Sequence, residues 1–275
     1  MKIDGVKIAE EILENLKDRV DELKEKKVIP HLYIITFGTN PQTESYLKQK
    51  LFRAKQIGAK ITIKKFPVSV LPKTVFNLIE KLNKDKKVNG IIVQRPLPKQ
   101  IGEEKICLAV SLPKDVDGFH PHSTFFPPVA LAVIKLIEST LDSLDIKDYL
   151  KSKKIVLIGK GTTAGKPIIN LFKRLNIKSK IVDSKTKDKK KIIKSADIIV
   201  SSVGKKIIGK DDIKKNVLLI GVGMHTVDEK LKGDFEQEEI KDKVSFYSPT
   251  PGGVGPVNVT MLMKNLVEAT ENQSS

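Results

Sequence analysis

The sequence predicts an α/β protein of two lobes with mostly parallel sheets. Short apolar segments alternate with amphipathic helical segments, an order typical of parallel sheets whose crossovers place helices against both faces. A segment rich in Pro, Asp, His and Phe, residues 111–128, interrupts this alternation, which resumes from Lys153. A chain of 275 residues is long enough for about two domains of ordinary size.

The first lobe opens with an amphipathic helix. Ile8, Ile12, Leu16, Val20 and Leu23 recur every three or four residues and so fall on one helical face. Apolar runs then predict strands at residues 31–37, 60–66 and 90–94, with helices at about 43–56 and 73–82 between them.

The second lobe repeats the alternation after a helix at residues 129–137. Strands are predicted at residues 154–158, 180–183, 197–202, 217–221 and 244–247. A final helix at about 258–268 follows a glycine-proline loop, and residues 272–275 are predicted to be a frayed tail.

Charge is the most unusual feature of the composition. The chain has 50 Lys and Arg against 33 Asp and Glu, a formal charge of +17. Clustered basic residues are typical of nucleic-acid binders, but these lysines are dispersed, aromatic residues make up 5% and Trp is absent. A solvated lysine-rich surface is the first interpretation, and a basic cleft for an anionic small molecule or nucleotide is the alternative.

The remaining composition excludes several classes of protein. The single cysteine, Cys107, cannot form an internal disulfide and lies in an apolar stretch, which favours a core role and a reducing, cytoplasmic location. No run approaches the roughly 20 apolar residues of a membrane span. Beyond the close pair His120 and His122, the four histidines offer no ligand spacing with acids or cysteines, so we predict no metal site.

A glycine-rich loop follows the predicted strand that ends at Ile158. Gly159, Gly161 and Gly165 precede a helix with Pro167 in its first turn, an arrangement that suits a pyrophosphate at a helix amino terminus. We therefore expect a Rossmann-type dinucleotide-binding lobe.

The next strand ends at Asp183, where such folds read the adenosine ribose. Asp183 suits the free hydroxyls of NAD. Lys160, Ser184 and Lys185 suit the 2′-phosphate of NADP, so both cofactors remain open.

Polar residues in three segments form a candidate reaction centre. Tyr46 and Lys50 lie four apart on a predicted helix and share a face, although such pairs are common by chance in a lysine-rich chain. Gln94 ends a strand, where open sheets place ligands. Asp115 and Asp117 are either a turn device or a grip for a polar ring.

Five motifs together resemble the bifunctional methylenetetrahydrofolate dehydrogenase/methenyltetrahydrofolate cyclohydrolase family. They are Y-L-K-Q-K (46–50), G-I-I-V-Q-R-P-L-P (90–98), K-D-V-D-G-F-H-P (114–121), G-K-G-T-T-A-G-K-P (159–167) and P-T-P-G-G-V-G-P (249–256). The resemblance implies NADP-dependent oxidation of 5,10-methylene- to 5,10-methenyltetrahydrofolate, then hydrolysis to 10-formyltetrahydrofolate, within one-carbon metabolism and purine biosynthesis.

The resemblance also implies roles for single residues. Lys50 matches the catalytic lysine, Gln94 the glutamine that tunes it, Tyr46 the tyrosine on the aminobenzoyl ring and Asp117 the acid that holds the pterin. The substrate loop corresponds to Pro251, Gly252 and Gly253. The implied cofactor-binding residues are Gly159, Lys160, Gly161, Thr162, Thr163, Gly165, Asp183, Ser184, Lys185, Val203, Gly204, Val222, Gly223 and Gly253.

The family's organisation implies two domains and a homodimer. Residues 1–124 with 257–275 are expected to form the folate-binding catalytic domain, and residues 125–256 the NAD(P)-binding domain. The expected partners are tetrahydrofolate derivatives, with or without polyglutamate tails, and neither nucleic acid nor membrane.

Departures from the family pattern fall on the cofactor side. Lys160-Gly161 stands where the family usually has Arg-Ser, Asp183 where it often has His, and residues 220–225 and 126–129 also differ from its usual pattern. A cyclohydrolase with weak or NAD-linked dehydrogenase activity is therefore the alternative function, and a basic nucleic-acid-binding module is a remote one.

Overall fold

The computed structural model describes residues 1–274, except for the side chain of Gln42. The chain forms two compact units: Met1–Glu10 with Val129–Asn258, and Glu11–Pro128 with the chain from Val259 onward. Each unit has one main sheet, and every strand pair in both sheets is parallel. The predicted α/β class is confirmed.

Helices and strands alternate along the chain. The helices are α1 Gly5–Glu25, α2 Pro41–Ile57, α3 Pro72–Lys84, α4 Glu103–Ala109, α5 Pro128–Glu138, α6 Ile146–Ser152, α7 Gly165–Arg174, α8 Lys189–Lys194, α9 Gln237–Ile240 and α10 Val254–Ser274. The strands are β1 His31–Phe37, β2 Lys60–Phe66, β3 Gly90–Val93, β4 Ile155–Ile158, β5 Ser179–Val182, β6 Ile198–Ser201, β7 Val217–Gly221, β8 Met224–Val227, β9 Lys230–Gly233 and β10 Val244–Tyr247.

A three-stranded sheet in the order β2-β1-β3 lies at the centre of the unit that contains Glu11–Pro128. Leu32 and Ile34 of β1 pack in a buried cluster with residues of α1, α2 and α10. Ile35, on the opposite face of the same strand, packs with Val75 of α3 and Ile106 of α4. Because successive strand residues point to opposite faces, this alternation gives three layers, a sheet with helices against both faces as predicted.

The other unit contains a five-stranded sheet in the order β10-β7-β6-β4-β5. From β4 the chain first adds β5 on one side and then β6, β7 and β10 on the other, so the strand order reverses between β4 and β6. In open parallel sheets the loops at the carboxyl ends diverge at this switch point and leave room for a ligand.

The amino terminus extends the edge of this sheet beside β10. Ile3 N donates to Tyr247 O at 2.9 Å, and Tyr247 N donates to Met1 O at 3.0 Å. The Met1 ammonium also donates to Ser245 O. These bonds satisfy backbone groups that an edge strand would otherwise expose.

The prediction of a frayed tail at the end of the chain is wrong for the described residues. The predicted tail, residues 272–275, is helical as far as Ser274, the last residue described. Gln273 Nε2 donates to both Asn89 O and Pro113 O at 2.9 Å, which fixes the last turn. The helix also begins earlier than predicted, at Val254, because Pro256 falls in the first turn, where its missing N–H costs no helical bond.

Short elements account for the other differences. No element was predicted at α4, α6, α9 or the β8–β9 hairpin, where each element is only four to seven residues long. The predicted loop 111–128 contains a 3-10 turn at Leu112–Lys114 and reaches the first residue of α5.

Candidate functional site

Lys50 and Gln94 meet through a direct hydrogen bond. Helix α2 carries Lys50, and Gln94 directly follows β3; Lys50 Nζ donates to Gln94 Oε1 at 2.7 Å. Gln94 Nε2 donates to Arg95 O at 3.0 Å, so the amide is held with its oxygen toward the lysine. A lysine amine is thereby fixed at the carboxyl end of a parallel strand.

The environment of Lys50 favours its neutral form. Burial lowers the pKa of the half-buried Lys50 ammonium, while the charge of Asp117 acts in the opposite direction. A lowered pKa raises the fraction of free amine near neutral pH, which is the form that can accept a proton.

Asp117 interacts electrostatically with two basic side chains, Lys50 and Arg95. Burial raises the pKa of its carboxyl group, and the charges of Lys50 and Arg95 counteract that rise. Arg95 Nη1 is 3.8 Å from Asp117 Oδ2, and its guanidinium lies 3.6 Å from the centroid of the Phe119 ring. Arg95 also pairs with Glu103 at 3.0 Å.

Arg95 also belongs to this group of side chains but is not among the predicted site residues. Its position directly after Gln94 at a strand end was the available signal, but its contacts with Asp117 and Phe119 form only on folding.

Tyr46 shares the α2 face of Lys50 one turn earlier. Its side chain is half-buried, and burial raises the pKa of its phenol, so the ring is neutral at physiological pH. A neutral aromatic ring beside a fixed amine suits an aromatic substrate.

Asp115 shapes the loop that presents Asp117. Its buried carboxylate accepts a hydrogen bond from His120 N at 2.9 Å, and burial raises its pKa to about 6. Gly118 has φ +68°, and a Cβ there would lie 2.7 Å from Phe126 C. Of the two roles considered for the acidic pair, Asp115 has the first: it stabilises the turn by accepting a backbone hydrogen bond.

The glycine loop in the other unit leaves open space at the amino terminus of α7. Gly159 has φ +93°, and a Cβ on Gly165 would lie 2.5 Å from Gly159 O, so loop and helix touch. A Cβ on Gly161 would meet nothing within 4 Å, and Thr162 and Thr163 are exposed. An unfilled approach to the amino terminus of a ten-residue helix fits a pyrophosphate.

Lys160 and Asp183, the two residues that favour different cofactors, form an ion pair of 2.6 Å. Lys160 and the hydroxyl of Thr186 hold the pKa of Asp183 at about 2, so this carboxylate is charged at physiological pH. Ser184 and Lys185 are exposed beside it, and Lys185 N donates to Asp183 Oδ1 at 3.0 Å.

The other predicted cofactor residues in the unit with the five-stranded sheet lie just after β6 and β7. Val222 N and Gly223 N both donate to Ser201 O, at 2.7 and 3.2 Å. Val203 and Gly204 follow β6, and the carboxylate of Asp234, which the sequence analysis did not single out, accepts hydrogen bonds from both of their N–H groups.

Residues 251–253 belong to the same unit and form a tight turn. Gly252 has φ +97°, and a Cβ on Gly253 would lie 2.5 Å from Pro249 O. A Cβ on Gly5 would lie 2.1 Å from Gly253 O. This backbone path requires glycine at each of these positions.

Two family models match most of the chain. The catalytic domain of tetrahydrofolate dehydrogenase/cyclohydrolase matches residues 3–117, and the NAD(P)-binding domain of the same family matches residues 127–274. The chain belongs to the tetrahydrofolate dehydrogenase/cyclohydrolase family. This membership confirms the resemblance read from the five motifs, the predicted bifunctional enzyme class and the predicted dinucleotide cofactor.

Relatives of this tetrahydrofolate dehydrogenase/cyclohydrolase align over nearly its full length. The bifunctional protein FolD of Staphylococcus carnosus is 39% identical, covering 97% of this chain and 95% of that one. A FolD crystal structure from Campylobacter jejuni has a TM-score of 0.92 at 31% identity and covers 99% of each chain. The Trypanosoma brucei enzyme, solved with NADP cofactor and inhibitor, has a TM-score of 0.89 at 26% identity, over 99% of this chain and 97% of that one.

Neither a membrane span nor a metal cluster is found in residues 1–274. No helix there is long and apolar enough to cross a bilayer. No three His, Cys, Asp or Glu side chains in that part of the chain are grouped to hold a metal ion.

Proposed function

We propose that this chain oxidises 5,10-methylenetetrahydrofolate with NADP and hydrolyses the 5,10-methenyl product to 10-formyltetrahydrofolate, with Lys50 as the catalytic base. The observation that carries the proposal is the half-buried Lys50 amine, held by Gln94 at 2.7 Å and depressed in pKa by burial. Family membership supplies the reaction class, and this geometry supports the residue roles.

Hydrolysis requires proton transfer at two moments. As water adds to the cationic methenyl carbon, neutral Lys50 accepts a proton from it. The carbon–nitrogen bond on one side of the bridge then breaks, and the Lys50 ammonium returns the proton to the leaving nitrogen. The hydroxyl proton of the adduct leaves to solvent as the formyl group forms, so the net reaction releases one proton.

The neighbouring residues position the folate. Asp117, whose carboxyl pKa is raised by burial and lowered again by the charges of Lys50 and Arg95, accepts hydrogen bonds from pterin N–H groups. Tyr46 packs on the aminobenzoyl ring, and the turn of Pro251, Gly252 and Gly253 offers backbone groups to the substrate.

The glycine loop is the proposed pyrophosphate site of the cofactor. When bound, the dinucleotide supplies the hydride acceptor. Gly161, Thr162 and Thr163 border the open approach to α7, and Gly165 allows the close contact of loop and helix.

The Lys160–Asp183 pair carries the cofactor choice. Lys160 offers a cation for the 2′-phosphate of NADP, the cofactor in the Trypanosoma brucei complex. The charged Asp183 favours the free ribose hydroxyls of NAD instead, so an NAD-linked dehydrogenase is the second candidate.

The wider assignments follow the family resemblance. We propose residues 1–124 and 257–275 as the folate-binding catalytic domain and residues 125–256 as the cofactor domain. We also propose a cytoplasmic homodimer that uses tetrahydrofolates with or without polyglutamate tails and supplies 10-formyltetrahydrofolate to purine biosynthesis, without nucleic-acid partners.

A spectroscopic assay tests the two activities together. Formation of the methenyl compound is followed with NADP and NAD in parallel, and its hydrolysis is followed separately without cofactor. We expect turnover with NADP and rapid hydrolysis. Turnover with NAD alone would give the ribose site to Asp183, and hydrolysis without turnover by either cofactor would overturn the bifunctional proposal.

An Asp183→Asn variant sharpens the cofactor result. Removing this charge beside Lys160 lowers repulsion of a 2′-phosphate, so we expect the preference for NADP over NAD to rise about tenfold. The exposed Lys187→Ala variant is the matched control and should leave the preference unchanged.

A further inference from the structure

The carboxylate of Asp234 is the centre of a buried hydrogen-bond network. Its side chain has no solvent exposure. Oδ2 accepts from Ser201 Oγ at 2.6 Å and Val203 N at 2.9 Å, and Oδ1 accepts from Gly204 N at 2.7 Å and Lys205 N at 3.1 Å. Hydrogen bonds to a charged acceptor are about twice as strong as neutral ones, so this carboxylate fixes the loop after β6.

The packing around this carboxylate leaves no room for adjustment. A Cβ on Gly223 would lie 2.3 Å from both Asp234 Oδ1 and Gly204 N. Gly204 itself has φ +75°, a conformation that glycine tolerates without strain. Gly223 and Gly204 are therefore required by the contact that Asp234 makes.

The same loop is also fixed to the strand that carries the glycine loop. Ser202 N donates to Ile158 O at 2.8 Å, and Ser202 Oγ donates to the same oxygen at 3.1 Å. Val203 nevertheless stays partly exposed, with 36% of its surface accessible. The loop is thus held from beneath while its outer surface stays open to a ligand.

Sheet order indicates which part of a dinucleotide this surface would meet. The order β6-β4-β5 places the ribose-reading Asp183 at the end of β5 and the pyrophosphate loop at the end of β4. The remaining half of the molecule, which carries nicotinamide, must then extend over the end of β6.

We propose that Asp234 is a positioning residue that holds loop 201–205 in the shape that receives the nicotinamide half of the cofactor. This inference rests on the proposed function. Asp234 touches no reacting atom itself; it acts through the N–H groups of Val203, Gly204 and Lys205. The β8–β9 hairpin delivers it, because Asp234 directly follows Gly233, the last residue of β9.

An Asp234→Asn variant tests the proposal in the full chain. The amide keeps the size of the side chain but replaces an acceptor oxygen with a donor that faces other donors. We expect the NADPH dissociation constant, measured by calorimetry, to rise about tenfold. Amide hydrogen exchange at residues 203–205 of the free protein should also become faster, and cofactor-independent methenyl hydrolysis should stay within about twofold of the unchanged chain.

Asp197→Asn is the matched control at the opposite end of β6. Asp197 likewise accepts a backbone hydrogen bond, from Lys154 N at 2.7 Å, and pairs with Lys214. Its loss should leave the NADPH dissociation constant and exchange at residues 203–205 unchanged. An equal rise in the dissociation constant for both variants would show general loosening of the sheet and overturn the proposal.

Two further outcomes separate the inference from the function on which it rests. Unchanged NADPH affinity in Asp234→Asn, or equal loss of affinity and hydrolysis, overturns the role of Asp234. Failure of the unchanged chain to bind either NADPH or NADH overturns the proposed dehydrogenase function as well. If Asp234→Asn does not fold, Ser201→Ala removes one donor to the same carboxylate; we expect about a threefold rise, and no rise would contradict the proposal.

Discussion

Lys50 illustrates how opposing local effects set the chemistry of a single residue. Burial disfavours its charged form, whereas Asp117 favours that form, and Gln94 fixes the position of the nitrogen whichever form is present. An exposed lysine at this position would be protonated almost completely at neutral pH. The partly buried position at a strand end is therefore what makes a lysine useful as a base.

Replacing Lys50 should separate hydrolysis from folding. We expect Lys50→Met to lower the rate of methenyl hydrolysis at least about 100-fold, because the proton acceptor is lost. Lys50→Arg should not restore the rate, since a guanidinium stays protonated. Stopped-flow absorbance measures the hydrolysis rate of both variants. Lys48 is an exposed lysine on the same helix, and the control variant Lys48→Met should hydrolyse at the rate of the unchanged chain.

The pH profile of hydrolysis follows from the same pKa. The reactive form of Lys50 is deprotonated, so kcat should rise with pH and level off once pH exceeds the lowered pKa. A kcat that falls as pH rises toward neutrality would show that another group is the base. A Lys50→Met variant with the same pH profile of hydrolysis would show the same.

Asp115 should make stability depend on pH in the opposite way from most carboxylates. Its pKa is about 6 in the folded chain and near 3.8 when unfolded, so the folded state binds this proton more tightly. Stability therefore falls as pH rises between about 4 and 6. We expect Asp115→Asn to remove this loss, gaining about 2 kcal/mol relative to the unchanged chain between pH 4.5 and 7.5.

Urea unfolding at the two pH values measures that difference. Asp211→Asn, at an exposed carboxylate, is the control and should show no such gain. An Asp115→Asn variant whose relative stability is the same at both pH values would contradict the buried, proton-binding Asp115.

Sequence reasoning found site residues that belong to recognisable motifs and missed those defined by contact. Lys50, Gln94 and Asp117 stand in spaced motifs, and the structure brings them together. Arg95 stacks on the ring of Phe119, and Asp234 binds backbone N–H groups of the loop after β6. Both contacts join segments that are distant in the sequence. No local sequence pattern predicts such contacts.

At the scale of elements, burial on both faces made the strands predictable. β3, β4 and β6 are buried at every position, so they read as continuous apolar runs. Short α4 and α6, and the half-exposed β8–β9 hairpin, have too few turns or apolar positions to produce a period. Tertiary packing rather than local sequence decides these elements.

The turn from β4 to α7 predicts opposite outcomes for two glycines. A Cβ on Gly165 would collide with Gly159 O at 2.5 Å, whereas one on Gly161 would enter open space. We expect Gly165→Ala to cost about 1–3 kcal/mol of unfolding free energy, as overpacking does. Gly161→Ala should leave stability unchanged but weaken NADPH binding about tenfold, because the methyl group occupies the pyrophosphate approach.

Thermal unfolding and calorimetric titration distinguish these two effects. Equal stability loss in both variants would contradict the open space at Gly161. Undiminished NADPH binding by a folded Gly161→Ala variant would place the pyrophosphate elsewhere.

At the scale of the whole molecule, the charge of +17 concerns association rather than fold. Dispersed lysines attract any polyanion at low salt, and counterion release makes that attraction steeply salt-dependent. We expect binding to a random DNA duplex at about 50 mM salt to weaken at least about 1000-fold by 200 mM. Fluorescence anisotropy measures it, and tight binding that persists at 200 mM would revive the nucleic-acid alternative.

The contact of Met1–Ile3 with β10 limits how early the five-stranded sheet can be completed during synthesis of the chain. Met1 reaches Ser245, 244 positions away in the chain. At about 5–20 residues per second, a ribosome needs about 12–50 seconds to deliver that partner. The contact between the amino terminus and β10 cannot form earlier. The other unit is incomplete until the segment from Val259 onward has been made. Each nascent chain therefore carries the five-stranded sheet without β10 until Tyr247 has been made, and the three-stranded sheet without its covering helix α10 for longer still.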